Sequence, residues 1–294
     1  MTAKGVASAV PPNAASAGSI NLGADLTVHR LGFGAMRITG QGIWGPPEDP
    51  EEAVRVLRRA VELGVNFIDT ADSYGPHLSE ELIARALHPY PPGLVIGTKG
   101  GLTRPGPDVW NRDGRPQHLR EACEGSLRRL KLERIDLYQL HAPDPQVPYE
   151  SSVGELARLQ TQGKIRLIGL SNVSVSQIKL AQKITPIVSV QNRYNIADRG
   201  SDAVLEYCQD EGIAFIPWAP LGSSRLAQGS GSGQALGRIA ARHHVSSGQA
   251  VIAWLLARSA VILPIPGTSS VSHLQENVAA ASVHLTPEDM SELH

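Results

Sequence analysis

The sequence predicts an α/β fold, an eight-stranded (β/α)8 or TIM barrel, and three observations carry this prediction. Eight short apolar runs alternate with amphipathic helical segments, which is the pattern of a parallel sheet covered by helices. The composition does not change at mid-chain, which favours one closed barrel over an open doubly wound sheet or two separate domains. The length of 294 residues suits a barrel of this kind.

The first regular elements are a hairpin and a strand. From Ile20, two alternating runs flank a turn at residues 23–25, and a strand follows that ends near Gly34. Residues 50–63 carry apolar side chains at helical spacing and stop at Gly64, which predicts the first helix. The same reasoning predicts strands at residues 65–69, 94–99, 135–140, 165–170, 187–190, 213–217 and 261–265. It predicts the other helices at residues 79–87, 117–130, 150–162, 174–183, 201–211, 234–243, 247–258 and 271–280.

Three connections are longer than ordinary turns, namely residues 39–50, 100–116 and 221–233. Because they follow strand ends, we expect them to overhang the end of the barrel where active sites lie. Residues 1–18 are rich in Ala, Ser and Pro and contain no long apolar stretch of the kind found in signal peptides. They predict a disordered leader, so that the single barrel domain takes residues 19–294.

Charge, hydropathy and cysteine usage exclude several classes of function. A net charge of −1 argues against nucleic-acid binding, and no run of 18 apolar residues predicts a membrane span. Cys123 and Cys208 lie far apart without a CxxC pattern, which is typical of a reduced cytoplasmic protein. The ten histidines include neither HxH nor HExxH, so no metal site is predicted. Nothing in the pattern indicates an oligomeric state.

Four polar residues lie at or just beyond the downstream ends of predicted strands: Asp69, Tyr74, Lys99 and His141. In a barrel these ends meet on one face, so we expect the four side chains to lie together. Such a group suits the reduction of a carbonyl, where the developing alkoxide must receive a proton. Tyr74 would be the acid, Lys99 would lower its pKa, Asp69 would hold Lys99, and His141 would orient the substrate oxygen. A Tyr or His alone at a strand end is more often a packed or surface group, and a buried Asp–Lys pair alone is often structural, so it is the combination that favours a function.

A nucleotide cofactor would need a site other than the common glycine-rich one, because no GxGxxG motif joins a predicted strand to a helix. The last unit of a barrel often binds phosphate at a helix N-terminus. Here PIPGTSSVSH (264–273) leads into the last predicted helix, with the hydroxyls of Thr268, Ser269 and Ser270 at its start. The alternative interpretation is that these hydroxyls only cap the helix.

Eight segments together resemble one known family, the aldo-keto reductases, over residues 28–284. They are LGFGAM, NFIDTADSYG, VIGTKGG, RIDLYQLHAPD, KIRLIGLSN, VSVQNRYN, IPWAPLGSS and PIPGTSSVSHLQEN. The resemblance implies a (β/α)8 barrel whose N-terminal β-hairpin closes the barrel bottom. It also implies reduction of aldehydes or ketones, small-molecule carbonyl substrates, with NADPH and less often NADH as cofactor.

The resemblance also assigns roles to individual residues. Asp69, Tyr74, Lys99 and His141 match the catalytic tetrad, with Tyr74 as general acid. Ser171, Asn172 and Gln191 would bind the nicotinamide carboxamide, and Trp218 would lie against its ring. Leu221 and Ser223 match pyrophosphate contacts, and Glu276 and Asn277 would contact adenine. The full set of expected cofactor contacts is Gly34, Met36, Asp69, Ser171, Asn172, Gln191, Trp218, Leu221, Ser223, Arg225, Gly267, Thr268, Ser269, His273, Glu276 and Asn277.

One departure from the family pattern concerns the 2′-phosphate that distinguishes NADPH from NADH. Many NADPH-specific members carry Lys and Arg there, whereas this sequence has Gly267 and His273. A bidentate arginine is therefore absent from its usual place. Hydroxyls of Thr268 and Ser269, with His273 and Arg225, remain candidates for this phosphate, so NADPH is the expected cofactor and NADH the alternative.

The substrate is less closely defined than the reaction. LGFGAMRITGQGIWGPPEDP, ALHPYPPGLVIGTKGG and VSVQNRYNIADR are similar to family members that reduce pyridoxal to pyridoxine. Pyridoxal is an aromatic aldehyde, and Trp44, Trp110 or Trp218 could stack on it beside Tyr74 and His141. The alternatives are a broad reductase of aldehydes, ketones or secondary metabolites, a nicotinamide-sensing binding subunit, and a barrel lyase or hydrolase.

Overall fold

A computed structural model, which describes residues 11–222 and 231–293, places seven parallel strands in one curled sheet. The strands of the chain are β1 (Ser19–Leu22), β2 (Leu26–His29), β3 (Phe33–Gly34), β4 (Phe67–Asp69), β5 (Val95–Gly100), β6 (Leu102–Gly106), β7 (Val109–Arg112), β8 (Ile135–Leu140), β9 (Ile165–Ser171), β10 (Ser189–Gln191) and β11 (Ala214–Phe215). Across the parallel sheet the order is β3, β4, β5, β8, β9, β10, β11. Parallel neighbours need a crossover connection, and helices provide it.

The eighth predicted strand, residues 261–265, occupies the gap between the two edges of this sheet. Phe215 donates to Val261 O at 2.8 Å and accepts from Leu263 N at 2.9 Å, while Gly32 N donates to Pro264 O at 2.9 Å. Pro264 has no N–H to donate, which explains why this segment pairs through few bonds and is not a regular strand. The sheet still closes through it, and the predicted (β/α)8 barrel is confirmed.

Helices follow the strands within a residue or two of most predicted positions. They are α1 (Pro50–Glu62), α2 (Leu78–Leu87), α3 (Pro116–Leu130), α4 (Tyr149–Thr161), α5 (Val175–Gln182), α6 (Asp202–Glu211), α7 (Gly231–Arg242), α8 (Ser247–Arg258), α9 (Val271–Ala279) and α10 (Pro287–Glu292). Local chemistry fixes several of their starts. Ser174 and Ser246 form capping boxes, each with the glutamine three residues on, and so satisfy amides at the N-termini of α5 and α8. Helix α10 was not predicted.

The N-terminal hairpin closes one end of the barrel. Strands β1 and β2 pair in antiparallel register, and Leu22 and Val28 are buried against interior side chains such as Phe67 and Leu137. The turn approaches so closely that a Cβ on Gly23 would lie 3.2 Å from the side chain of Leu167. The amino ends of the strands are thereby filled with apolar side chains, which leaves the carboxyl ends for chemistry.

Part of the expected disordered leader, residues 1–18, is ordered, and the rest lies outside the described residues. Ala14–Ala17 forms a 3-10 helix capped by the side chain of Asn13, and Ala14 is fully buried and donates to Leu63 O at 2.8 Å. Small alanine side chains can enter such a contact beside Gly64, so a composition typical of disorder was a poor guide here. The division into a leader of residues 1–18 and a barrel domain of residues 19–294 stays a prediction.

The connection predicted for residues 100–116 contains an antiparallel hairpin, β6 and β7, with an irregular register between Thr103 and Gly106. The polar and proline-rich sequence hid its alternation. The hairpin follows β5 directly, so it lies over the carboxyl face of the barrel.

In the part of the chain that the structure describes, every helix is too short or too polar to cross a membrane.

Candidate active site

A cavity of about 620 Å³ lies at the carboxyl ends of the barrel strands. The predicted site residues that line it are Gly34, Met36, Asp69, Tyr74, Trp110, His141, Ser171, Asn172, Gln191, Trp218, Leu221 and Gly267. The sequence reasoning missed further lining residues, namely Arg37, Leu102, Ala219, Pro220, Gly222, Ile265 and Pro266. Ser223 and Arg225 lie outside the described residues. The remaining predicted residues, among them Lys99 and Trp44, are not part of the cavity wall.

Asp69 and Lys99 form an ion pair inside the barrel. Lys99 Nζ lies 2.6 Å from Asp69 Oδ1 and donates to Thr70 O at 2.8 Å, and the two side chains are 2% and 0% exposed. Asp69 is the last residue of β4, and Lys99 lies near the carboxyl end of β5. The two strands are parallel neighbours in the sheet. Burial lowers the pKa of Lys99, but Asp69 and Tyr74 outweigh burial and raise it. The ammonium is therefore a fixed positive charge at neutral pH.

The second oxygen of Asp69 is held by two amides. Gln191 Nε2 donates to Asp69 Oδ2 at 2.9 Å, and Gln139 Nε2 donates to the same oxygen at 3.1 Å. Both glutamines are buried, Gln139 on β8 and Gln191 on β10, the two strands that flank β9. Such donors stabilise the ionised carboxylate and fix its orientation. Gln139 was missed in the sequence. It lies in β8, two residues before His141, and it pairs with Lys99 of β5 in the sheet.

Tyr74 is buried between charged and aromatic neighbours. Lys99 Nζ lies 5.2 Å from the centre of its ring, and the rings of His141 and Trp110 meet it edge-on at 5.8 and 6.3 Å. Burial raises the pKa of Tyr74 above its ordinary value of 10, and the charge of Lys99 opposes this rise without cancelling it. Lys99 thus acts in the expected direction but does not lower the pKa overall. The phenol stays protonated through the neutral range.

His141 faces the cavity from the end of β8. Its Nδ1 lies 3.3 Å from Ser73 Oγ, and its backbone carbonyl accepts from Asn172 Nδ2 at 3.0 Å. Burial, and then the charge of Lys99, hold the pKa of His141 well below its ordinary value of 6.5. The imidazole is therefore neutral and can serve as one donor and one acceptor.

Ser171, Asn172 and Trp218 form one hydrogen-bonded group on the cavity wall. Asn172 Nδ2 donates to Ser171 Oγ at 3.1 Å, and Trp218 Nε1 donates to Asn172 Oδ1 at 3.0 Å. Asn172 has a φ of 58°, a left-handed conformation that asparagine tolerates better than most residues. This turn directs the Asn172 amide back toward the end of β9 rather than along the following loop.

The last barrel segment brings Gly267 to the first strand. A Cβ on Gly267 would lie 2.4 Å from Gly34 O and 3.6 Å from the Arg37 side chain, so only glycine fits. Beyond it, Thr268 Oγ1 accepts from Ser270 N at 3.1 Å, and Glu52 accepts from Val271 N at 3.1 Å. The predicted residues that lie outside the cavity wall on this segment and α9 are Thr268, Ser269, His273, Glu276 and Asn277.

Two of the three tryptophans expected near a substrate line the cavity. Trp110, in β7, meets both Tyr74 and His141, each at 6.3 Å between ring centres, and Trp218 also lines the cavity. Trp44 does not line the cavity, and the Cζ of Arg104 lies 5.8 Å from its ring centre. The expected contact between Trp44 and a substrate stays a prediction.

Comparison with known sequences gives a consistent result. The model of the family described as "Aldo/keto reductase family" matches residues 30–294. An uncharacterized oxidoreductase of Schizosaccharomyces pombe is 49% identical over 281 residues, which cover 96% of this chain and 90% of the relative. Pyridoxine 4-dehydrogenase of Escherichia coli is 44% identical over 274 residues, covering 91% and 94%.

Solved structures agree with these sequence relatives. A thermostable aldo-keto reductase in complex with the inhibitor epalrestat has a TM-score of 0.81 and 32% identity, with 94% of this chain and 98% of that chain covered. An aldo-keto reductase from Klebsiella pneumoniae in complex with NADPH has a TM-score of 0.77 and 26% identity, covering 94% and 93%.

Proposed function

The chain belongs to the aldo/keto reductase family, and on that premise we propose that it is an NADPH-dependent carbonyl reductase with Tyr74 as general acid. One observation carries the proposal. A protonated phenol and a neutral imidazole meet on one cavity wall, with a buried ammonium–carboxylate pair beside the phenol. These groups can give a proton to a carbonyl oxygen and stabilise the charge that the transfer leaves behind.

The proton would come from Tyr74. When the phenol gives it up, a phenolate is left inside the protein, and Lys99 is the cation close enough to compensate that charge. Asp69 fixes Lys99, and Gln139 and Gln191 fix Asp69, so this charge arrangement needs no rearrangement during the reaction.

His141 would orient the substrate oxygen. In the tautomer in which Ser73 donates to Nδ1, the neutral ring carries its proton on Nε2, which would donate to a carbonyl oxygen beside Tyr74. A protonated imidazole would compete with Tyr74 as the acid, and the low pKa of His141 prevents this.

The cavity suits a nicotinamide by the chemistry of its donors. Gln191 uses its side-chain nitrogen on Asp69, and within the described residues no hydrogen bond uses its side-chain oxygen Oε1, which can therefore accept from a carboxamide. Ser171 and Asn172 provide further polar atoms on the same wall, and Trp218 provides a flat apolar surface. A bound dihydronicotinamide would supply the hydride, and these side chains would select the ring face turned toward Tyr74.

The phosphate groups of the cofactor would lie toward Gly267 and the start of α9. Arg37 lines the cavity next to Gly267 and supplies a positive charge there that the sequence reasoning missed. His273 lies exposed in the first turn of α9, where the 2′-phosphate is expected. These groups support NADPH over NADH, and the full cofactor set expected from the sequence remains part of the proposal.

The favoured substrate is pyridoxal, reduced to pyridoxine. Two findings support it: the relative from Escherichia coli is named pyridoxine 4-dehydrogenase, and Trp110 offers an aromatic contact beside the proposed acid. Trp110 and Trp218 both line the cavity, and either indole offers a flat surface to the ring of pyridoxal.

The deciding experiment follows NADPH oxidation with pyridoxal and with benzaldehyde as substrates. We expect kcat/KM for pyridoxal of about 10⁴ M⁻¹s⁻¹ or more, above the value for benzaldehyde, and lower activity with NADH. Equal values for the two aldehydes would instead favour a broad reductase of aldehydes, ketones or secondary metabolites. Tight NADPH binding with almost no turnover of any carbonyl would favour a nicotinamide-sensing binding subunit, and the proposal would then be wrong.

The cytoplasmic location expected from cysteine usage stays a prediction.

The pH dependence of reduction tests the protonation states directly. We expect kcat/KM to be flat from about pH 5.5 to about pH 9, because the His141 imidazole is already neutral and the Tyr74 phenol is still protonated in this range. Initial rates in buffers of constant ionic strength measure this.

An inflection near pH 6.5 that disappears in His141→Gln would contradict the assignment.

The low pKa of His141 also predicts how the stability of the protein changes with pH. Below about pH 6.5 the unfolded chain takes up a proton at His141 that the native state refuses, so this residue's contribution to stability is lost as pH falls.

A further inference from the structure

Arg104, in the hairpin β6–β7, is a buried cation outside the proposed catalytic group. Only 8% of it is exposed, and backbone carbonyls satisfy its guanidinium. Nε donates to Val109 O at 2.9 Å, and Nη2 donates to Gly42 O at 2.8 Å. Three further bonds reach Ile43 O, Ser73 O and Gly106 O, at 3.0, 3.3 and 3.4 Å.

These five bonds use all five N–H groups that a guanidinium carries. Removing such a charge from water is costly unless its donors are paired, and here they are paired without a carboxylate contact. A lysine has three donors on a single nitrogen and could not reach acceptors spread in this way. The position therefore requires arginine by geometry and not only by charge.

The accepting carbonyls belong to three separate segments of the chain. Val109 and Gly106 lie in the hairpin, Gly42 and Ile43 in the connection that precedes α1, and Ser73 next to the proposed acid. Ser73 also contacts His141 through its hydroxyl. Arg104 thus joins the overhanging hairpin to the loop that carries Tyr74.

The same guanidinium lies against the face of Trp110. Its Cζ is 3.7 Å from the indole centre, a close cation–π contact. The other neighbours of this indole include Tyr74 and His141, each 6.3 Å away between ring centres. Trp110 is therefore held between a fixed cation and the two residues proposed to act on the carbonyl.

We propose that Arg104 is a positioning residue that acts through Trp110, holding the indole as a rigid wall that favours flat, ring-bearing carbonyl substrates over small aliphatic ones. The proposal rests on the proposed reductase function. A wall that is already ordered costs no conformational entropy when a ring packs on it, whereas a loose hairpin would have to be ordered by each substrate. A three-carbon aldehyde can occupy the site without covering Trp110, so it gains little from the wall.

The test compares kcat/KM for benzaldehyde with kcat/KM for propanal and takes their ratio. Arg104→Met should lower this ratio about tenfold, as expected when a buried aromatic contact loses its support, with the Kd for NADPH unchanged. Arg112→Met in β7 is the matched control, because Arg112 is exposed on the same hairpin, and the ratio should stay at the wild-type value. A variant that is only partly folded loses active enzyme for both aldehydes equally and leaves the ratio unchanged. An unchanged ratio therefore overturns the proposal.

A double-mutant cycle identifies the route of the effect. Trp110→Ala should lower the ratio by itself, and adding Arg104→Met to it should change the ratio less than about twofold, because the shared partner is already gone. Equal effects of Arg104→Met in both backgrounds would overturn action through Trp110. Should Arg104→Met fail to fold, Arg104→Lys replaces it in the cycle with an intermediate loss expected.

A readout without catalysis separates this proposal from the proposed function. Chymotrypsin should cleave after Trp110 at least about fivefold faster in Arg104→Met than in wild type or Arg112→Met, because the hairpin opens locally more often. Equal cleavage rates overturn the anchoring role. If wild type reduces neither aldehyde, the reductase function fails, and the cleavage rates still decide whether Arg104 holds the hairpin.

Discussion

Tyr74→Phe is expected to lower kcat for aldehyde reduction by about 10²–10⁴-fold, the usual contribution of a positioned general acid. The substitution removes one hydroxyl and keeps the ring that packs edge-on against His141 and Trp110. No described contact of the phenol holds the polar wall formed by Ser171, Asn172 and Gln191, so NADPH affinity should change little. Stopped-flow single-turnover rates and fluorescence titration with NADPH measure the two quantities.

A matched control removes a tyrosine hydroxyl far from the cavity. Tyr207 OH donates to Gln182 at 2.7 Å on the outer helices, and Tyr207→Phe should leave kcat unchanged. If Tyr74→Phe keeps more than about a tenth of wild-type turnover, another group supplies the proton and Tyr74 is not the acid.

Lys99→Met is expected to affect both folding and catalysis. It leaves the Asp69 carboxyl group, which is 2% exposed, without its cation, and breaking a buried ion pair in this way costs roughly 3–5 kcal/mol in the free energy of unfolding. It also removes the charge that compensates the phenolate left on Tyr74, so kcat should fall by about 10²–10³-fold. Urea unfolding monitored by circular dichroism and steady-state kinetics measure these losses.

The half-buried ion pair between Lys164 and Glu124, at 2.6 Å, provides the control, since its side chains are 31% and 38% exposed. Lys164→Met should change the free energy of unfolding by less than about 1 kcal/mol, because both charges stay in contact with water. Adding Asp69→Asn to Lys99→Met should restore stability without restoring kcat, because an amide needs no cation in that position. A single Lys99→Met variant as stable as wild type would show that the pair contributes little to the fold.

The alternation of apolar runs and helices predicted the barrel because each βα unit repeats the same burial pattern. It failed where proline interrupts a pattern. Pro264 removes a donor from the last strand, and Pro105 and Pro107 conceal the hairpin that contains Arg104. The short helix Pro287–Glu292 packs at the end of the chain, where tertiary contact rather than periodicity decides the structure.

In the candidate site, too, some residues could be predicted from the sequence and others are recognised only from their contacts in the fold. Asp69, Lys99 and His141 could be predicted because strand ends converge, and Tyr74 because it follows one of them closely. Gln139 and Arg104 could not, because a glutamine in a strand and an arginine in a loop carry no signal until their partners are known. The position of Trp44 outside the cavity wall, with Arg104 near its ring, is likewise seen only in the fold.

The junction near Pro264 has a consequence for how the molecule holds together. There the first barrel strand, near the amino terminus, meets the last segment of the sheet through few hydrogen bonds, and Gly34 touches Gly267 across that line. Both glycines border the cavity. A ligand that contacts both glycines would stabilise the contact between the first strand and the last segment, which are distant in sequence. Ligand binding and closure of the barrel are then linked equilibria.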